Sequence, residues 1–209
     1  MIQYFARYHD RLLTAFGQHI LLLLLTMFFS ILIAAILALA LHRAGPAAER
    51  TALRIAGIVY TIPSLALFAL LIPVLGLGMR TAICVLVLYN QFLLLRNILA
   101  GFNAVAPSLI EAGCGMGMTW FEIIIFVKLP LSLPMIIAGI RLAVVSTIGI
   151  GAIAAVINAG GIGAVLFDGL RTNNAVKIIW GALLCALLAL AANAALLRLE
   201  IFARKTSNN

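Results

Sequence analysis

Charge is the scarcest feature of this sequence. Only 10% of its 209 residues are Asp, Glu, Lys or Arg, against roughly a quarter in an ordinary soluble domain. A water-facing surface cannot be assembled from so little. At the same time 65% of the chain is hydrophobic and the mean hydropathy is +1.22. Together these exclude a soluble globular fold and imply an integral membrane protein. Acids are scarcer than bases, six against fourteen. The resulting charge of +8 forms no patch or stripe, which argues against a nucleic-acid partner. Basic residues stand instead at the ends of apolar runs, where they anchor to headgroups and set orientation.

Lysine and cysteine are equally sparse. Lys128, Lys177 and Lys205 follow Val127, Val176 and Arg204. A phosphate-binding loop needs a Gly-Lys pair to cradle and neutralise phosphates, so the chain carries no such loop. Cys84, Cys114 and Cys185 lack metal-type spacing with another Cys or a His. They read as small apolar side chains of a helical bundle. His9, His19 and His42 lie near span ends with no carboxylate–nucleophile grouping nearby, and interfacial placement accounts for them best. No catalytic residue and no metal site is expected. No repeat of 20–50 residues is present.

Long apolar runs are what the chain has in abundance. Residues 1–19 are amphipathic, with Tyr4, Phe5, Tyr8, Leu12 and Phe16 set among charges, as in an interfacial helix lying on the membrane. The run Ile20–Leu41 is too long for the core of a signal peptide and reaches roughly 33 Å as a helix, enough to cross a bilayer core. Further spans are expected over Ile55–Leu77, Thr81 to Leu95 or Leu99, Leu129–Ala159 and Val176–Leu197. Pro63 and Pro73 should bend or break the second. Ala159–Phe167 reads as part of an outer loop. The fold expected is all-α and polytopic, with about five transmembrane helices in one domain, 20–197, followed by a tail, 198–209. Five spans put the termini on opposite sides. With the tail inside, Arg43, Arg50, Arg54, Arg96, Lys128, Arg198, Arg204 and Lys205 face the cytoplasm, and Arg7, Arg11, Arg80, Arg171 and Lys177 face outward. That excess favours N-out, C-in.

Segment 103–128 is polar and punctuated by glycine. Pro107 suits a first helical position, and Leu109, Ala112, Gly113 and Met116 then recur at helical spacing on one face, with Glu111 opposite. Gly115 and Gly117 can close this helix through a left-handed cap. Thr119-Trp-Phe-Glu122 has the form of a capping box that opens another. The product is a small protruding helix–turn–helix. Two readings are open for it: a docking element for a soluble partner, or a connector lying flat on the membrane.

Glu111-Ala112-Gly113, Gly117, Val127 and Leu129-Pro130 resemble the characteristic loop of importer-type ABC permeases: Glu-Ala-Ala, three residues, Gly, nine residues, Ile, any residue, Leu-Pro. Gly113 stands for Ala and Val127 for Ile. Thr61-Ile-Pro-Ser-Leu-Ala-Leu67, Gly115-Met-Gly-Met-Thr119, Leu129-Pro-Leu-Ser-Leu-Pro134, Ala138-Gly-Ile-Arg141 and Ala159-Gly-Gly-Ile-Gly163 extend the likeness. Over most of its length the chain is similar to the small permeases of osmoprotectant importers, which take up glycine betaine, carnitine, choline and related quaternary amines. Cys114 stands where that group has Arg, and Asn193 where it has Asp.

The resemblance implies a bacterial plasma (inner) membrane protein and a division of labour. Glu111, Ala112, Gly113, Gly117, Leu129 and Pro130 would dock into a separate ATPase, the subunit that uses ATP and Mg. A second permease, identical or paralogous, would complete the pathway, and an extracytoplasmic binding protein would deliver the ligand. This chain would hold no cofactor, and lipid would surround it. Importers of another small solute such as an amino acid remain an alternative. So does an ATP-independent channel or secondary carrier, although such carriers usually show internal repeats and membrane carboxylates, and none of the six acids is expected mid-span.

Other residues have two readings each. Arg141 lies roughly 16 Å into the fourth span, either lining a pathway or serving structure, facing the bundle to bind carbonyls freed near the Pro134 break or snorkelling. Gly160, Gly161 and Gly163 are too few to bind nucleotide and fit a hinge or a close helix crossing. Tyr60, Phe68, Tyr89 and Phe92 are the aromatics expected to face the bundle. Their faces suit quaternary ammonium groups or serve as filler. Asp168 and Arg171 are spaced for an ion pair, solvated or in contact with the external binding protein.

Overall fold

The computed structural model describes residues 2–207, and among them every regular element is helical. In chain order these are α1 (Ile2–Ala44), α2 (Pro46–Thr61), α3 (Ser64–Leu75), α4 (Met79–Ala104), α5 (Pro107–Gly115), α6 (Trp120–Glu122), a π-helical turn (Ile123–Lys128), α7 (Leu129–Ile153), a 3-10 turn (Ala154–Ile157), α8 (Ile162–Arg171) and α9 (Ala175–Ser207). Residues 7–44, 79–104, 120–157 and 175–205 are long and apolar enough to cross a membrane. The pair α2–α3 is bent by 95° at its break and makes a fifth crossing when the two are counted as one broken span.

The bend falls at Pro63, where the ring removes a donor and the chain leaves helical geometry for two residues. Pro73, by contrast, sits inside α3 without ending it. Freed carbonyls are costly in hydrocarbon, and the Tyr89 hydroxyl of α4 donates to the Ile62 carbonyl at the break.

Helix α4 is the middle of the bundle. Its Leu94, Leu95, Ile98, Leu99 and Phe102 form one core with Ala34 and Ala38 of α1 and Ala143, Val144 and Ile148 of α7. Nearer the other end, Leu67 and Phe68 of α3 pack on Ala82, Val85 and Tyr89 of α4 and on Ile157. Helix α9 is apolar on most of its circumference and only 6% of its span window is buried, as suits a lipid-facing wall.

Three expectations change. The first nineteen residues are not one separate helix: two helical pieces meet at a kink at Tyr8, and the second runs on through residue 20 into the first span. Leu12 and Ala15 pack with Val165 of α8, while Leu13 is 62% exposed. Met1 lies outside the described residues. Secondly, Ala159–Phe167 is not simply loop, because Ile162 begins a ten-residue helix. Thirdly, α9 continues as helix through Ser207, beyond the span end expected at Leu197; residues 208–209 of the tail lie outside the described residues.

Helix α8 tucks against the end of α7. A Cβ on Gly163 would stand 1.8 Å from the Ala152 carbonyl oxygen, so hydrogen is the only side chain that fits this backbone-on-backbone contact. Gly149, earlier in α7, has nothing within 4 Å. Gly163→Ala should therefore destabilise the protein by about 2 kcal/mol or more. Gly149→Ala should be neutral or stabilise by up to about 1 kcal/mol. Thermal melting of the two variants in detergent checks the contrast.

Candidate functional site

The segment between α4 and α7 builds itself from local bonds. Helix α5 starts with Pro107 at its first turn and ends in a two-bond cap: Met118 N–H donates to Gly113 O at 3.0 Å and Gly117 N–H to Cys114 O at 3.0 Å. The cap requires a left-handed residue, and Gly117 supplies it at φ +81°. Thr119 then accepts from Glu122 N–H at 3.3 Å, while the Glu122 carboxylate accepts from Thr119 N–H at 2.7 Å. This is the reciprocal capping box expected from the sequence. The π-helical turn Ile123–Lys128 carries the chain into α7; Leu129 and Pro130 form its first turn.

The apolar face anticipated on α5 is not buried within the chain. Gly113 alone of its four members turns inward, against Met118 and Ile123. Leu109 is 47% exposed and Met116 76%, and Glu111, Ala112 and Cys114 are exposed beside them. Such a surface on a rigid, capped unit suits a partner that covers it.

The unit is fastened to the bundle at one end. His42 and Glu49 approach to 2.7 Å (Nδ1 to Oε1), Asn103 Nδ2 donates to Glu49 Oε2 at 2.7 Å, and Lys128 Nζ lies 2.7 Å from His42 Nε2. The Arg43 guanidinium sits over the Trp120 ring, 5.6 Å from its centroid. The ends of α1 and α4, the start of α2 and segment 107–128 therefore share one face of the bundle. Sequence reasoning singled out neither Glu49 nor Asn103; a lone carboxylate between basic residues was the available signal.

At the opposite face, Arg11 of α1 donates to Asp168 of α8 at 3.0 Å, Lys177 at 2.9 Å and Arg171 at 3.4 Å. The Lys177 ammonium, bonded to Asp168, holds that carboxyl below the usual carboxylate range, and Arg171 and Arg11 add to the effect. The expected Asp168–Arg171 pair is thus one edge of a larger cluster.

The remaining candidates separate. Arg141 Nε donates to Glu200 Oε2 at 3.1 Å and its Nη1 to Asn193 Oδ1 at 3.1 Å, while Arg204 holds the other Glu200 oxygen at 2.8 Å. Arg141 thus staples α7 to α9 through side chains of α9, and not through carbonyls near Pro134. Glu200, placed by the sequence in the tail, is buried. Tyr60 meets Tyr89 edge-on at 5.6 Å and Phe92 at 5.2 Å beside the α2–α3 break; Phe68 and Tyr89 are buried. Gly160 and Gly161 lie against Gln18 and His19, and Gln18 accepts from Gly161 N–H at 3.0 Å. His19 is therefore not interfacial: it is buried where α8's approach crosses α1. Also unforeseen is Asn90, which donates to Thr147 at 2.9 Å and Ser30 at 3.2 Å, joining α4, α7 and α1 by buried polar groups.

Residues 30–206 match the family described as binding-protein-dependent transport system inner membrane component. The chain is 41% identical over 151 residues to an osmoprotectant import permease protein of Salmonella typhimurium, covering 70% of each. It is 36% identical over 200 residues to a carnitine transport permease of Listeria monocytogenes, covering 96% of this chain and 91% of the relative. A glycine betaine/carnitine/choline transport system permease of Bacillus subtilis is 38% identical over 174 residues, 83% of this chain and 80% of the relative. In fold, the chain superposes on a chain of a methionine ABC transporter in an inward-facing form with a TM-score of 0.86, at 21% identity over 94% of this chain and 98% of that one. A chain of an amino acid ABC transporter gives 0.75 at 16% identity, over 97% of each.

Removing the cap at α6 tests the local construction. Thr119→Ala should cost about 1 kcal/mol of cap stability, so amide exchange at Glu122 should quicken by roughly fivefold while exchange within α4 stays unchanged.

Proposed function

Since the chain belongs to the family of binding-protein-dependent transport system inner membrane components, we propose that it moves a small osmoprotectant, such as glycine betaine, carnitine or choline, as the permease subunit of an ATP-driven importer. The observation that carries this reading is the capped segment 107–128, which displays Leu109, Glu111 and Met116 outward while Lys128 anchors it to the bundle. A surface of that kind serves a partner that grips it and moves it. The substrates of the relatives in three bacteria supply the substrate class.

In this reading a separate ATPase, using ATP and Mg, binds the segment from the cytoplasm through Glu111, Ala112, Gly113, Gly117, Leu129 and Pro130. ATP-driven closure of that partner shifts the segment and, through α7 and α4, the bundle. A second permease, identical or paralogous, faces this one across the pathway. A binding protein delivers the ligand on the opposite face, where Arg11, Asp168, Arg171 and Lys177 cluster. The charge bias places the N-terminus outside and the C-terminus inside the plasma membrane. No residue of this chain performs chemistry.

The substrate is settled by uptake of labelled glycine betaine, carnitine and choline into vesicles that hold the full complex, with methionine as the contrasting solute. ATP-dependent uptake of at least one of the three, and none of methionine, is expected; methionine uptake alone would overturn the substrate reading. Gly117→Trp forces a bulky residue into a left-handed position, a strain of about 1–3 kcal/mol on the docking surface itself. Uptake should fall by about tenfold or more, with the chain still present in the membrane. Unchanged uptake would show that the segment does not transmit force.

A further inference from the structure

The face that carries segment 107–128 holds a part-buried polar chain that crosses four elements. Lys128 comes from the π-helical turn, His42 from the last turn of α1, Glu49 from the first turn of α2 and Asn103 from the last turn of α4. Their three contacts are each 2.7 Å long. The His42 and Glu49 side chains are only 10% and 9% exposed, so water does not compete freely for these groups. The His42 ring also packs on Phe102, 5.3 Å between centroids.

Donor counting fixes the direction of the chain. An ammonium only donates, so with Lys128 charged His42 Nε2 must accept. Nδ1 then carries the proton and donates to Glu49, whose second oxygen accepts from Asn103. A neutral imidazole thereby bridges a cation on the docking segment to an anion on α2. With Lys128 charged and Glu49 ionised the two charges offset each other, which suits the part-buried position of the pair. Besides the covalent continuations into α4 and α7 and the Arg43–Trp120 contact, this polar chain links the segment to α1 and α2. Apolar contacts can slide; a charge-assisted chain with fixed donors and acceptors resists sliding and passes displacement on.

We infer that His42 is a positioning residue for transport, the joint through which movement of the docking segment at Lys128 reaches α1 and, through Glu49, the broken span α2–α3. The inference rests on the importer reading above and adds the route by which the force enters the bundle. Cutting the joint leaves the surface that meets the ATPase in place, so ATP is still hydrolysed but fewer solute molecules move per ATP.

The test uses the complete complex in vesicles, with ATP hydrolysis and glycine betaine, carnitine or choline uptake measured in the same preparation. His42→Leu removes both the donor and the acceptor and should lower solute moved per ATP by about threefold or more. His42→Gln keeps one acceptor and one donor and should retain most of the original ratio, which a role in packing alone would not explain. Lys128→Met cuts only the side of the joint facing the segment and should reproduce the loss, and it decides the matter if His42→Leu fails to assemble. An unchanged ratio in Lys128→Met, or in an assembled His42→Leu, overturns the inference. If the unaltered complex hydrolyses ATP and moves none of the three solutes, the importer reading fails first, so the two failures are distinguishable.

Discussion

Hydrocarbon offers no partner for a hydrogen bond, and the whole structure answers to that constraint. Every polar group carried into the bilayer must be satisfied by the protein itself. Helices meet the demand for most of the backbone. Where the backbone leaves helical geometry at Pro63, the Tyr89 hydroxyl takes the Ile62 carbonyl. Several polar side chains are bound across helices: Asn90 to Ser30 and Thr147, Arg141 to Asn193 and Glu200. Each such bond has a fixed geometry, so the helices it joins are held in register as well as in contact. A bundle held this way moves by shifting whole elements.

Segment 107–128 is assembled differently. Its two short helices stand on caps, Gly117 closing one and Thr119 with Glu122 opening the other. Local bonds of this type make a stiff unit without a large core of its own, and they leave Leu109 and Met116 facing outward. Stiffness and exposed apolar surface are the two properties that a lever needs when it is worked by another protein. The chain of contacts from Lys128 through His42 to Glu49 then joins the segment to the bundle. Across the membrane, Asp168 collects Arg11, Arg171 and Lys177, tying α1, α8 and α9 together at the opposite end. The α2–α3 break lies between these two fastened ends.

Features determined within one turn were legible in the sequence. The capping box needs residues three apart, and Pro107, Gly117, Thr119 and Glu122 all do in the structure what their spacing implied. The spans were legible for the same reason, since hydropathy is a property of a continuous window, and Pro63 did break the second one. What the sequence did not reveal depends on which helices become neighbours. His19 stands near the start of an apolar run and looks interfacial until the turn at Gly161 is laid across it. Glu200 looks like part of a solvated tail until Arg141, 59 residues earlier, reaches it. The interfacial helix expected over residues 1–19 is amphipathic as read, but its apolar side has Val165 to cover it. The joint at His42 combines residues from four separate stretches of chain, and no local pattern marks it.

The central claim is that the segment around α5 faces the cytoplasm and is gripped there by an ATPase. Cys114 is exposed on that segment and reports on it directly. In a protein with Cys84 and Cys185 replaced by Ala, a membrane-impermeant maleimide should modify Cys114 only from the cytoplasmic side, and bound ATPase should protect it. Modification from the outside, or equal modification with and without the ATPase, would contradict the account.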